Sequence, residues 1–126
     1  MLVVTKLDAF AMTARTDIHQ VARRLNNELG PSRVAALAGT PDRRLPIRWA
    51  KDDGPTPSTE YRRRLMVGHR VWHQIASADG NEVARAWFVG SNPTLDESSP
   101  IEAIRDGDFQ SVIDAAQEFI EEKGNE

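Results

Sequence analysis

Arg43, Arg44, Arg48 and Lys51 crowd one short stretch around Pro46 and Trp49. A guanidinium donates two parallel, coplanar hydrogen bonds, which suits a phosphate or a guanine edge. These four cations are therefore the candidates for contact with nucleic acid. Three other groupings invite chemistry. Asp52-Asp53 could pair as carboxylates, but they sit in a Gly/Pro loop with no nucleophile or further acid beside them. Solvation in the loop is the expected state. His69 and His73 are four residues apart on one helix face, a spacing that suits a metal. No further ligand stands nearby, such as the glutamate of a HExxH motif, so both are expected to be ordinary half-buried histidines. Ser91 follows Gly90, yet the second glycine of a nucleophile elbow is missing and no strand precedes it. No phosphate-cradling loop is recognisable. The expectation is a non-enzyme with no cofactor and no metal.

Composition narrows the classes further. The 126 residues fit one compact domain or two very small ones. The absence of cysteine rules out disulfides, thiolate metal sites and cysteine nucleophiles. No apolar run approaches the roughly 20 residues of a membrane span, and no signal-peptide pattern opens the chain. The expected compartment is the cytoplasm, with no membrane partner. The net charge of −3 hides an asymmetry. Residues 1–70 hold 13 Lys/Arg against 7 Asp/Glu, a net of +6, and residues 71–126 hold 3 against 12, a net of −9. Such a split points to two different partners, or to an oligomer contacting itself.

The elements that must position these residues read as helices throughout. Ile18, Val21, Ala22, Leu25 and Leu29 form an apolar stripe, with Thr16 as N-cap and Gly30-Pro31 as the stop. A short second helix turns Val34, Leu37 and Ala38 inward and ends at Gly39. A third helix either begins near Pro46 or is kinked there, because an internal proline removes a backbone donor. Trp49 is expected in the core. Residues 52–57 are the clearest loop. A long helix begins near Ser58 or Thr59, with Tyr61, Leu65, Gly68, Trp72, Ile75 and Ala76 inward and Arg62, Arg63 and Arg64 starting its outer side. Asp79-Gly80 breaks it. The next helix, from Glu82 to Val89, buries Val83, Ala86 and Trp87 and stops at Gly90–Pro93. Ser99-Pro100-Ile101-Glu102 is a capping box with proline at the first helical position, and turns Ile101 and Ile104 inward. Asp106-Gly107-Asp108 makes a turn and a new N-cap. The last helix carries Phe109, Val112, Ile113, Ala116, Phe119 and Ile120 in the most regular stripe of the chain, and a polar tail from Glu121 follows.

Capped turns alone account for the residue types after Ala86. Their order and spacing do more. Trp87, Asn92-Pro93, Leu95, Pro100, Ala103-Ile104, Asp106-Gly107 and Val112 together resemble the toxin-binding domain of the Xre/MbcA/ParS antitoxin family, over about residues 81–123. The N-terminal part is similar to the degenerate Xre-type helix-turn-helix that precedes that domain. Pro46 and the long stretch between Thr40 and Trp49 depart from a regular recognition helix. The resemblance implies an all-α chain: an N-terminal arm (1–14), a degenerate helix-turn-helix unit with a long connecting helix (15–78), and a small helical toxin-binding domain (79–126). It also implies a cytoplasmic antitoxin that dimerises and neutralises a cognate RES-domain, NAD-consuming toxin by occluding its active site. On that carry-over Trp87, Asn92, Pro93, Phe109, Val112, Ile113, Ala116, Phe119, Ile120, Glu121 and Lys123 would face the toxin, and NAD would bind the partner. Arg43, Arg44, Arg48 and Lys51 would face operator DNA in autoregulation. The competing reading is a dimeric helix-turn-helix regulator with no toxin partner.

Overall fold

The computed structural model describes residues 17–124, and every regular element among them is helical. The expected arm (1–14) and Thr16 lie outside these residues, as do Asn125 and Glu126. Helix α1 (Ile18–Leu29) buries the whole expected stripe, Ile18, Val21, Ala22, Leu25 and Leu29. Its N-cap is Asp17, whose carboxylate accepts the His19 N–H at 3.0 Å. Pro31 then opens α2 (Pro31–Ala38), where its missing N–H is not needed. Helix α2 closes at Gly39 in the left-handed region (φ 88°, ψ 24°), where its N–H donates to the Ala35 carbonyl at 2.9 Å.

Helix α3 (Leu45–Trp49) resolves the question that Pro46 poses: the helix begins there and is not kinked. Residues before it are held out of helix by short side-chain bonds. Thr40 Oγ1 accepts the Asp42 N–H, and Asp42 accepts the Arg44 N–H at 2.9 Å. The carbonyls at the far end of so short a helix need partners. Helix α1 supplies them from a polar row beside its apolar stripe. His19 Nδ1 donates to the Trp49 carbonyl at 2.8 Å, and Asn26 Nδ2 to that of Pro46 at 2.9 Å. Arg23 donates to the Ala50 carbonyl and reaches Asp52 at 2.7 Å.

The 21-residue α4 (Thr59–Asp79) starts at Ser58, whose Oγ accepts the Tyr61 N–H, and it is the hub of the fold. It packs against α1 and α2 on one side, and against three later helices: α5 (Asn81–Val89), α6 (Pro100–Arg105) and α7 (Phe109–Gly124). Leu65, Gly68, Val71, Trp72 and Ile75 are its buried residues. Gly68 admits α2 closely: a Cβ there would meet Leu37 Cδ1 at 3.0 Å. Tyr61 and Ala76 are only half-buried.

Helix α5 corrects one expectation. It buries Ala84, Trp87 and Phe88, whereas Val83 is half-buried and Ala86 is exposed. Residues 83, 86 and 87 and residues 84, 87 and 88 are both helical faces. Burying the Phe88 ring removes far more apolar surface from water than burying the Ala86 methyl, and this decides the rotation. A 3₁₀ turn (Pro93–Leu95) buries Leu95 and leads to α6. There the capping box is complete, with Ser99 and Glu102 exchanging bonds at 3.1 Å in both directions. Helix α7 is seated by Val112, Ala115 and Ala116.

One continuous apolar core joins all seven helices among the described residues. The boundary expected between residues 78 and 79 falls in the last turn of α4, and the core is continuous on both sides of it. Helix α6 packs on α2, so Ile101 and Ile104 close over the layer that contains Val34 and Leu37. No helix among the described residues is long and apolar enough to cross a membrane.

Candidate partner-docking cleft and basic surface

Where α5 ends, Gly90 leads into a loop whose geometry Asn92 dictates. The Asn92 side chain accepts the Thr94 N–H at 2.9 Å, and its carbonyl accepts the N–H groups of Leu95 and Glu97. This knot forces Asp96 and Glu97 to positive φ (55° and 68°), which is uncommon for residues with a side chain. It also sets the 3₁₀ turn across from the middle of α7. Between them lies a cleft of about 360 Å³. Its walls include Trp87, Asn92, Pro93 and Phe119, four of the residues expected to meet a partner. Ser91, Thr94, Ala115, Glu118 and Glu122 complete it.

The floor is aromatic. Trp87 is 8% exposed and meets Phe88 edge-on at 5.4 Å and Phe119 at 6.3 Å. Its indole N–H is buried and has no acceptor among the described residues. An unpaired buried donor of this kind costs about 1–3 kcal/mol. The rim is acidic. Glu118 accepts from Thr94 Oγ1 at 3.2 Å, and Glu122 stands one turn further along α7. Neither carboxylate has an ion-pair partner among the described residues. These two acids escape a search for apolar stripes, because they flank the stripe. Their spacing, i and i+4 on either side of Phe119, was the available signal.

The other expected partner residues divide. Val112 and Ala116 have no exposed surface. They are core residues, not partner contacts, because α7 needs one face for its own attachment. Phe109, Ile113, Phe119 and Ile120 are half-buried, and Glu121 and Lys123 are exposed. Phe109 lies under the Arg63 guanidinium at 5.4 Å, and Lys123 Nζ sits 5.6 Å over the Phe119 ring.

Arg43, Arg44, Arg48 and Lys51 are all exposed, but only Arg48 belongs to α3. The Thr40–Arg44 turn holds Arg43 and Arg44 before the helix, and Lys51 follows it. The backbone N–H of Arg44 holds the Asp42 carboxyl below its ordinary range. Among these cations Ile47 is 49% exposed.

The remaining groupings do not assemble into machinery. His69 and His73 lie at a second cleft, with Arg24, Glu28 and Trp72. Burial, then the charge of Arg24, then His73 push the His69 imidazole below its usual value. No group of three or more metal-ligating His, Cys, Asp or Glu side chains exists among the described residues. Asp52 is taken up by Arg23, and Ser91 donates to Glu97 at 3.3 Å.

Comparison of the chain with protein-family models, with curated proteins and with solved structures gives no match.

Proposed function

We propose that this chain is an antitoxin: a binding protein that neutralises a cognate RES-domain toxin by covering its NAD-consuming active site. The resemblance of residues 81–123 is one support. The observation that carries the reading is how α7 is mounted. Small and β-branched residues fasten one face, and three large apolar residues are left half-buried: Phe119 in the cleft wall, and Ile113 and Ile120 away from the cleft, with Glu121 and Lys123 exposed. All three pack against the core on one side, and their outer surfaces are the apolar area that a partner would cover. The acidic half suits a basic nucleotide-binding pocket in the partner. The finer division into a degenerate Xre-like helix-turn-helix and a toxin-binding domain, the homodimer and the cytoplasmic location belong to the same proposal.

The test is co-expression with the product of the adjacent gene, purified through a tag on this chain alone. The expected result is a stoichiometric partner whose NAD consumption is silent until it is released. Removing residues 117–126 should then restore its activity. Intact neutralisation after that truncation would rule out the terminal part of α7 as the plug.

The exposed cations around Ile47 favour a second reading, a DNA-binding regulator with or without autoregulation of its own operon. Its weakness is the length of α3: five residues span about 7 Å, against a major groove about 12 Å wide. Neutralising Arg43, Arg44 and Arg48 together should flatten the salt dependence of any DNA binding. On the antitoxin reading it should leave toxin neutralisation intact.

A further inference from the structure

We infer that the cleft between the 3₁₀ turn and α7 is a receptor for one arginine side chain presented by the partner's surface, which rests on the antitoxin reading and specifies its contact chemistry. Three observations converge. First, Glu118 and Glu122 are like charges one helical turn apart at the rim, an arrangement that repels unless a cation comes between them. Second, the wall includes the Phe119 ring, a cation-attracting face over which the chain's own Lys123 Nζ sits at 5.6 Å, so that an incoming guanidinium would take the place of that ammonium. Third, Trp87 lines the same cleft while its buried indole N–H lacks an acceptor. A cation satisfies the first two, and only an acceptor satisfies the third.

An arginine within a peptide segment carries both. Its guanidinium is planar and presents a fork of donors that reaches two carboxylates, and it stacks on aromatic faces better than an ammonium does. The main-chain carbonyl of the same segment is an acceptor of the kind that the Trp87 N–H lacks. The volume of about 360 Å³ holds such a side chain and excludes a folded element. The charge of the C-terminal half, −9 over residues 71–126, draws a basic segment toward this side of the molecule.

The experiment is an NMR titration of the full chain with doubly blocked arginine, acetylated at its N-terminus and amidated at its C-terminus. Blocked norleucine serves as the uncharged control. The expected result is a saturable shift of the Trp87 indole proton together with the Glu118 and Phe119 amides. Blocked norleucine should give none of it. The E118Q/E122Q double variant replaces two exposed side chains and should fold normally while weakening binding roughly fivefold, as expected for two solvent-accessible ion pairs. No saturable shift, an equal response to norleucine, or unchanged affinity in the double variant would each overturn the inference. The titration contains no partner, so the two ideas fail separately. Arginine binding without a co-purifying toxin keeps the receptor and removes the antitoxin; a neutralised toxin without arginine binding does the reverse.

Discussion

Trp87 shows how one side chain joins core and surface. Its ring is packed between Phe88 and Phe119 and belongs to the continuous core, yet it also walls the cleft. Trp87→Ala should destabilise the protein by about 3–5 kcal/mol, as for other buried aromatic truncations, measured by chemical denaturation. A change near zero would show that the ring contributes little to the core. His69 gives a pH signature. Its imidazole titrates below 6.5 when folded, so the unfolded chain takes up the proton first. Stability should be full above that value and fall as pH drops through the window between it and the lower folded pKa. His69→Gln should flatten this slope in denaturation curves taken from neutral pH to about pH 5. Individual core residues were legible in the sequence where a face had no competitor, as with Val21 and Leu25. The Ala86/Phe88 exchange was not, because periodicity alone gives α5 two acceptable faces and only the sizes of the side chains choose.

Elements read from punctuation fared differently from elements read from packing. The Ser99-Pro100-Ile101-Glu102 box is local, so its bonds follow from four adjacent residues, and the structure forms every one of them. Ser99→Ala should cost about 1 kcal/mol, read from the shift in denaturation midpoint. The Glu102 carboxyl is held below 4.5, first by the Ser99 backbone N–H. Its stabilising contribution is present above that value and is lost as pH falls through the folded pKa. By contrast, the length of α3 depends on the polar row His19, Arg23 and Asn26 on α1. No pattern within residues 40–51 announces partners so distant in sequence. The α2–α4 contact is non-local in the same way. An alanine in a helix interior normally gains up to about 1 kcal/mol over glycine. Gly68→Ala should nevertheless destabilise by about 1 kcal/mol, because its methyl would press on the fully buried Leu37. A stabilised variant would show that α2 can retreat.

At the scale of the molecule, α4 is what makes a basic stretch and an acidic stretch into one object. It touches α1 and α2 before it in sequence and α5, α6 and α7 after it. Leu37→Ala and Ile104→Ala, on opposite sides of the expected boundary, should therefore each lower a single shared transition, followed by circular dichroism and by tryptophan fluorescence together. Two separated transitions would show that the halves unfold independently. The all-α class was legible in the repeated stripes and caps. The placement of the cleft was not, because it arises from the meeting of α7 with a turn that Asn92 ties some twenty residues earlier.

The central position of α4 also sets a schedule during synthesis. A ribosome adds roughly 5–20 residues per second, and earlier segments are free to fold while later ones are still being made. When α4 emerges, α1 and α2 can cover only part of it. Its remaining apolar surface stays open until Ile104 and then Val112 and Ala116 have left the exit tunnel. The nascent chain thus passes through an interval with a hydrophobic helix half dressed, a window in which chaperones and proteases compete for it. Completion of the core and completion of the cleft occur together, since Ala115 belongs to the first and Glu118 and Phe119, one turn later, to the second.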